Sequence, residues 1–239
     1  MAKASAVTWA GGKSRHADII LPHVQDHEGY VEVFGGSGEI LLQREQTKRE
    51  VFNDADQELV TFFRVVRFHK DALLDYLEWM PNSRQEFNSF VQHEGLTDIQ
   101  QAARWYFKNK NAFGSDMEYC GTSRKRNSGL LGKRSYRMDK IDQLNKRLDR
   151  VAIECLDWRE CIDKYEYEGN VLFLDPPYVN ASGGSQGYDG WDKEEHEALA
   201  TRLKRTASPW VLTLNDSRWV RKLYEGCTVE TFEQRYSMG

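Results

Sequence analysis

Val171-Leu172-Phe173-Leu174-Asp175-Pro176-Pro177-Tyr178 is a run of four large apolar residues that ends on an acid, two prolines and a tyrosine. Four apolar residues with no polar interruption suit a strand covered on both faces, the usual member of a parallel sheet in an α/β fold. In such folds ligands sit beyond the carboxyl ends of the strands, and Asp175 stands at such an end. Pro176 and Pro177 hold the backbone in an extended turn, lack N–H donors, and leave their carbonyls to accept hydrogen bonds. Tyr178 closes the turn with a flat face. A carboxylate, a free carbonyl and an aromatic plate in succession form a holder for the exocyclic amine of a base turned out of its stack.

Outward from this run, residues 30–34 (YVEVF), 50–52, 151–155 (VAIEC) and 210–214 (WVLTL) read as further strands. Helical periods occupy 14–24, 37–47, 56–78, 138–149, 192–207 and 217–224. The alternation predicts a doubly wound, Rossmann-like α/β sheet. One crossover is far too long: a strand-helix-strand unit takes about 30 residues, whereas the strand near Phe52 and the one near Val151 are separated by about 100. The excess predicts an insertion, helical over 85–93 and 98–108, with a polar, Gly-rich and basic loop or β-ribbon over 109–136.

The 239 residues are 40% hydrophobic and 29% charged with a net charge of −4, which excludes a disordered or collagen-like chain. Residues 101–150 carry 13 Lys and Arg against 5 Asp and Glu, so the remainder carries 20 against 32. A basic block within an acidic chain suggests a face for a polyanion, although a solvated helix pair would carry similar charge. Within it Arg124-Lys125-Arg126-Asn127 and Lys133-Arg134 suit phosphates and purine edges. No apolar run is long enough to span a bilayer and no secretory signal opens the chain, so no membrane association and a cytoplasmic location are expected. The four cysteines (Cys120, Cys155, Cys161, Cys227) show no zinc spacing, and His23 with His27 lack a third ligand, so no metal is expected.

Three further segments carry chemistry. Phe34-Gly35-Gly36-Ser37-Gly38 follows a predicted strand and opens a helix, where glycines admit a ligand to the backbone; alone it reads equally as a tight turn. Asn53-Asp54 ends the next strand, placing a carboxylate for ribose hydroxyls or, more simply, for a helix cap. Trp9-Ala10-Gly11-Gly12-Lys13-Ser14 invites a phosphate-loop reading that fails, because Val7 stands where that motif requires glycine. Asn180–Gly190 is Gly- and Ser-rich and reads as a loop that either orders over a base, with Tyr188 and Trp191 as contacts, or has no such role.

Together these pieces resemble the Dam-like DNA N6-adenine methyltransferases. The resemblance rests on Trp9-Ala10-Gly11-Gly12-Lys13, Val33-Phe34-Gly35-Gly36-Ser37-Gly38, Asn53-Asp54, Leu156-Asp157-Trp158 and Asp175-Pro176-Pro177-Tyr178, in that order, with Asn111-Ala112-Phe113-Gly114 a faint echo inside the insertion. It implies a catalytic domain over 1–60 and 150–239 and an inserted DNA target-recognition domain over 61–149. It implies S-adenosyl-L-methionine as methyl donor, S-adenosylhomocysteine as product and double-stranded DNA as partner, and it assigns no oligomeric state. Trp9, Gly11 and Lys13 would pack around the donor, Phe34 to Gly38 would wrap its methionine portion, and Asp54 would take its ribose. Asp157 would accept from its adenine amine, with Trp158 alongside; without the resemblance Asp157 reads as a helix cap. Asp175 and the Pro176 carbonyl would grip the target amine, with Pro177 shaping the turn and Tyr178 stacking on the base. Methylation of RNA amino groups or of cytosine N4, and a catalytically silent DNA-binding regulator, are the competing readings. The C-terminal 227–237 (CTVETFEQRYS) reads as a strand, and the family continues with a partner strand where this chain stops at Gly239. An open edge of that kind is expected to lower stability, promote association or cost activity.

Overall fold

The computed structural model describes residues 5–9, 11–81, 83–112, 117, 138–179 and 191–232. Five strands, β1 (Gly29–Glu32), β2 (Arg49–Asn53), β3 (Val151–Glu154), β4 (Asn170–Leu174) and β5 (Trp210–Leu212), form one sheet in the order β3-β2-β1-β4-β5. The pairs β1–β2, β1–β4 and β2–β3 are parallel. This is the doubly wound order, with its switch point between β1 and β4. Every residue of β1 and β4 is buried, as the uninterrupted apolar run of β4 requires.

The helices are α1 (Ala17–Val24), α2 (Glu39–Gln43), α3 (Gln57–Phe68), α4 (Lys70–Trp79), α5 (Arg84–Gln92), α6 (Asp98–Asn111), α7 (Met138–Arg147), α8 (Trp158–Tyr165), α9 (Lys193–Leu203) and α10 (Arg218–Leu223). Six begin on a side chain that accepts a main-chain N–H: Asp56, Ser83, Thr97, Asp157, Asp192 and Ser217. The core joins Tyr30, Phe52 and Phe173 of the sheet to Phe62 and Phe63 of α3 and Trp105, Tyr106 and Phe107 of α6. Phe62 lies stacked on Tyr106, with ring centroids 5.1 Å apart.

Two compact units make up the chain, one spanning 1–174 with 207–211 and the other 175–206 with 212–239. Helices α3 to α7 lie in the first unit. In the second, α9 buries His196, Leu199, Ala200 and Leu203, a single stripe at helical spacing.

Three readings are corrected. The period over 56–78 is two helices, broken at His69 (φ −135°, ψ 31°). Beyond the break, Asn145 of α7 donates to the carbonyls of Val66 at 2.8 Å and Arg67 at 3.1 Å, satisfying the end of α3. Residues 109–111, read as the start of a loop, complete α6. No strand forms over 227–232, because alternation makes a strand only where a partner completes the ladder; 233–237 lie outside the described residues.

Candidate active site

At the carboxyl end of β1 the chain turns through Gly35 to Gly38. A Cβ on Gly35 would meet Phe52 Cε2 at 2.4 Å, so only glycine lets this turn lie on β2. Gly36 and Gly38 take positive φ (48° and 67°), and Gly38 caps α2. Gly35 donates to the Asn53 carbonyl at 2.7 Å and Gly38 to the Gly35 carbonyl at 2.8 Å.

Asp54 pins this turn. Its Oδ2 accepts the Gly36 N–H at 2.8 Å and its Oδ1 the Asp56 N–H at 2.9 Å. Burial pushes its carboxyl up to about 6, against those two main-chain donors, which lower it. Asn53 ties the strand ends together: its amide donates to the carbonyls of Val33 (2.9 Å) and Leu156 (3.1 Å), and its Oδ1 accepts the Leu156 N–H at 2.9 Å. Trp9 is half-buried over Gly36, where a Cβ would stand 2.8 Å from the indole Nε1. Lys13 is buried and donates from Nζ to the Gly11 carbonyl at 2.8 Å, closing the 9–13 turn. These sequence-read residues, with half-buried Phe34 and buried Ser37, therefore gather around one glycine turn.

Asp157 is exposed and caps α8 by accepting the Arg159 N–H at 2.8 Å. Trp158 is only 5% exposed and lies under the Arg159 guanidinium, 4.3 Å from the ring centroid.

In the second unit, residues 175–178 form an irregular segment after β4, braced at each end. Thr213 Oγ1 donates to Asp175 Oδ1 at 2.5 Å, and the Tyr178 hydroxyl donates to the same oxygen at 3.0 Å. Asn215 Nδ2 donates to the Val179 carbonyl at 2.7 Å. Trp191 Nε1 donates to His196 Nε2 at 2.8 Å, which leaves the ring proton on Nδ1. Burial holds that imidazole below its ordinary pKa, against the Pro177 main chain, which favours the charged form. Trp191, read as a base contact, thus commits its indole N–H to His196.

Thr213 and Asn215 escaped the sequence reading, yet a signal existed in two polar residues flanking Leu214 directly beyond the β5 apolar run, at a strand end. Glu32 was also missed. It is 2% exposed in β1 and accepts the Leu41 N–H at 3.1 Å, bracing the first turn of α2 after the glycines. A glutamate inside a buried strand was its signal.

Arg124, Lys125, Arg126, Asn127, Lys133 and Arg134, like Phe113, Gly114, Tyr188 and the 180–190 loop, lie outside the described residues. Among the described residues no group of three His, Cys, Asp or Glu is placed to hold a metal, and no helix is long and apolar enough to cross a membrane.

The chain is 25% identical over 240 residues to the type II methyltransferase M.CviBI of Paramecium bursaria Chlorella virus NC1A, covering 96% of this chain and 90% of that protein. It is 23% identical to the type II methyltransferase M.MjaIII of Methanocaldococcus jannaschii, covering 93% and 88%, and 22% identical to a DNA adenine methylase of Vibrio cholerae, covering 91% and 83%. A family model matches residues 9–238, from the Trp9 segment past the last described helix. The chain belongs to the D12 class of N6 adenine-specific DNA methyltransferases.

Proposed function

We propose that this adenine-specific DNA methyltransferase uses S-adenosyl-L-methionine to methylate an adenine turned out of double-stranded DNA, with Asp175 and the Pro176 carbonyl holding the reacting amine. The observation that carries the reading is the Asp175 carboxylate, on whose Oδ1 the Thr213 and Tyr178 hydroxyls converge. Adenine N6 is a weak nucleophile because its lone pair is delocalised into the ring. Acceptors for both its N–H groups draw the nitrogen toward tetrahedral geometry and stabilise the positive charge that develops on it. The two hydroxyls fix the orientation of the carboxylate, so little reorganisation accompanies the reaction. Tyr178 offers its ring face to the extruded base, offsetting part of the few kcal/mol of unstacking.

The first unit fits the donor on its own geometry: glycines that bring main chain within reach of a ligand, an aromatic ring over them, and a carboxylate pinned at the end of β2. When bound, S-adenosyl-L-methionine supplies a methyl group on a sulfonium, an already activated leaving group, and departs as S-adenosylhomocysteine. Phe34, Gly35, Gly36, Ser37 and Gly38 would hold its amino-acid portion, with Trp9, Gly11 and Lys13 packed around it. Asp54 would take ribose hydroxyls on the lone pairs its two main-chain donors leave. Asp157 and Trp158 would border its adenine. Residues 61–149 would recognise DNA, with Arg124, Lys125, Arg126, Asn127, Lys133 and Arg134 on phosphates and base edges, beside a catalytic part comprising 1–60 and 150–239.

Incubation with methyl-labelled S-adenosyl-L-methionine and duplex DNA, followed by digestion to nucleosides, tests the reading. Label is expected in N6-methyldeoxyadenosine from duplex substrate. Asp175→Ala should bind the donor with unchanged affinity and lose turnover; retained turnover would refute the role given to that carboxylate.

A further inference from the structure

Residues 5–9, which carry Trp9 to its place over the glycine turn, belong to no helix or strand and are held by side chains instead. Ser5 Oγ donates to the Ser37 carbonyl at 2.7 Å, and the Ser5 N–H donates to Glu39 Oε1 at 3.0 Å. The next anchor is Asn109 on α6. It is 8% exposed, its Oδ1 accepts the Thr8 N–H at 2.9 Å, and its Nδ2 donates to the Thr8 carbonyl at 2.7 Å. One side-chain amide thus satisfies both main-chain groups of a residue 101 positions away, much as a neighbouring strand would. Lys110 adds a bond from Nζ to Thr8 Oγ1 at 3.1 Å.

From Thr8 the restraint continues along the chain. The Trp9 carbonyl accepts the Gly12 N–H at 3.3 Å, and the Trp9 indole lies so close to Gly36 that a Cβ there would stand 2.9 Å from Cδ1. Gly36 is itself held by Asp54. A continuous path therefore joins α6 to the glycine turn through Asn109, Thr8 and Trp9.

We propose that Asn109 is a positioning residue for methyl-donor binding: by clamping the main chain of Thr8 it sets the pose of Trp9 over Gly36. This rests on the reading of Trp9 and the glycine turn as part of the donor site. Asn109 acts only through Trp9 and has no part in the methyl transfer, so its loss weakens donor binding and leaves the chemical step alone.

The test uses the full chain with duplex DNA at saturation, comparing Asn109→Ala, Asn109→Asp, Trp9→Ala and the double variant Trp9→Ala with Asn109→Ala. Asn109→Asp keeps an acceptor for the Thr8 N–H and loses the donor to its carbonyl, so it is the variant to measure if Asn109→Ala does not fold. The donor KM should rise roughly tenfold in Asn109→Ala, consistent with the loss of two hydrogen bonds, and less in Asn109→Asp, with kcat at saturating donor within about threefold of wild type. Because Asn109 works through Trp9, the double variant should match Trp9→Ala alone. A KM raised by Trp9→Ala but untouched by Asn109→Ala, or effects that simply add, would overturn the positioning role alone. A KM that Trp9→Ala leaves unchanged would overturn the reading of the donor site itself.

Discussion

Two hydroxyls meet on one oxygen of Asp175, and the residue nearer in space is the one farther in sequence: Thr213 at 2.5 Å against Tyr178 at 3.0 Å. A hydrogen bond to a charged group contributes about 1.5–3 kcal/mol. Thr213→Val is therefore expected to lower kcat by roughly 10- to 100-fold while leaving the donor KM in place, and Thr213→Ser to restore most of it; steady-state kinetics decide. Asp54 makes a prediction of a different kind. Its carboxyl is raised from 3.8 to about 6 by burial, so between those values the unfolded chain ionises while the folded one holds its proton. The contribution of Asp54 to stability is thus fully present below about pH 4 and is lost as pH rises through about 6. Relative to Asp54→Asn, which cannot titrate, the wild type should lose about 2 kcal/mol between pH 4 and pH 7. Urea denaturation of both proteins across that range checks this, and a constant difference would refute it.

At the scale of elements, helices expected to begin near 56, 192 and 217 do so, α3 capped by Asp56 where the sequence had offered Asp54, α9 by Asp192 and α10 by Ser217; the glycines open α2, and Asp157 caps α8 as it reads without the resemblance. Failures came where an element depends on a distant partner. The break between α3 and α4 leaves no mark in the local pattern, since the side chain that satisfies the end of α3 is Asn145, 79 residues from Val66. Asn145→Ala should cost about 1–3 kcal/mol by leaving two helix-end carbonyls unpaired, read as a lower urea midpoint with an unchanged slope. Residues 227–232 failed the other way, with alternation present and no ladder. The same division runs through the candidate site. The carboxyl-end segments Phe34 to Gly38, Asn53-Asp54 and Asp175 to Tyr178 were legible because each combines a strand end with distinctive residues. Asn109, Thr213 and Asn215 were not singled out, because an amide or a hydroxyl looks the same wherever it points.

Across the molecule, a buried charge cluster ties α7 to the stretch between α2 and β2, 97 residues away. Arg44, beyond α2, and Arg147, on α7, both bond Glu50 on β2, at 2.6 Å and 2.5 Å, with the side chains 0%, 5% and 1% exposed respectively. Arg44 also donates to the Val24 carbonyl at the end of α1 and stands over the Tyr30 ring, 4.5 Å from its centroid. Two guanidiniums satisfied by one carboxylate make that carboxylate the costly member to lose. Glu50→Ala should destabilise by about 3–5 kcal/mol and more than Arg147→Ala, because it strands two buried charges instead of freeing one partner; denaturant unfolding of both variants decides the order.

The amino-acid sequence by itself determined the doubly wound class, the glycine turn at the end of β1 and the adenine-methyltransferase family, because periodicity, turn chemistry and motif order are properties of contiguous residues. Tertiary structure alone decided that Asn109 clamps Thr8, that Asn145 satisfies the end of α3 and that Thr213 braces Asp175, pairs 101, 79 and 38 residues apart. The physical reason is that a polar side chain is neutral as to partner until burial removes water as an alternative, and only the packed fold chooses which group it then meets.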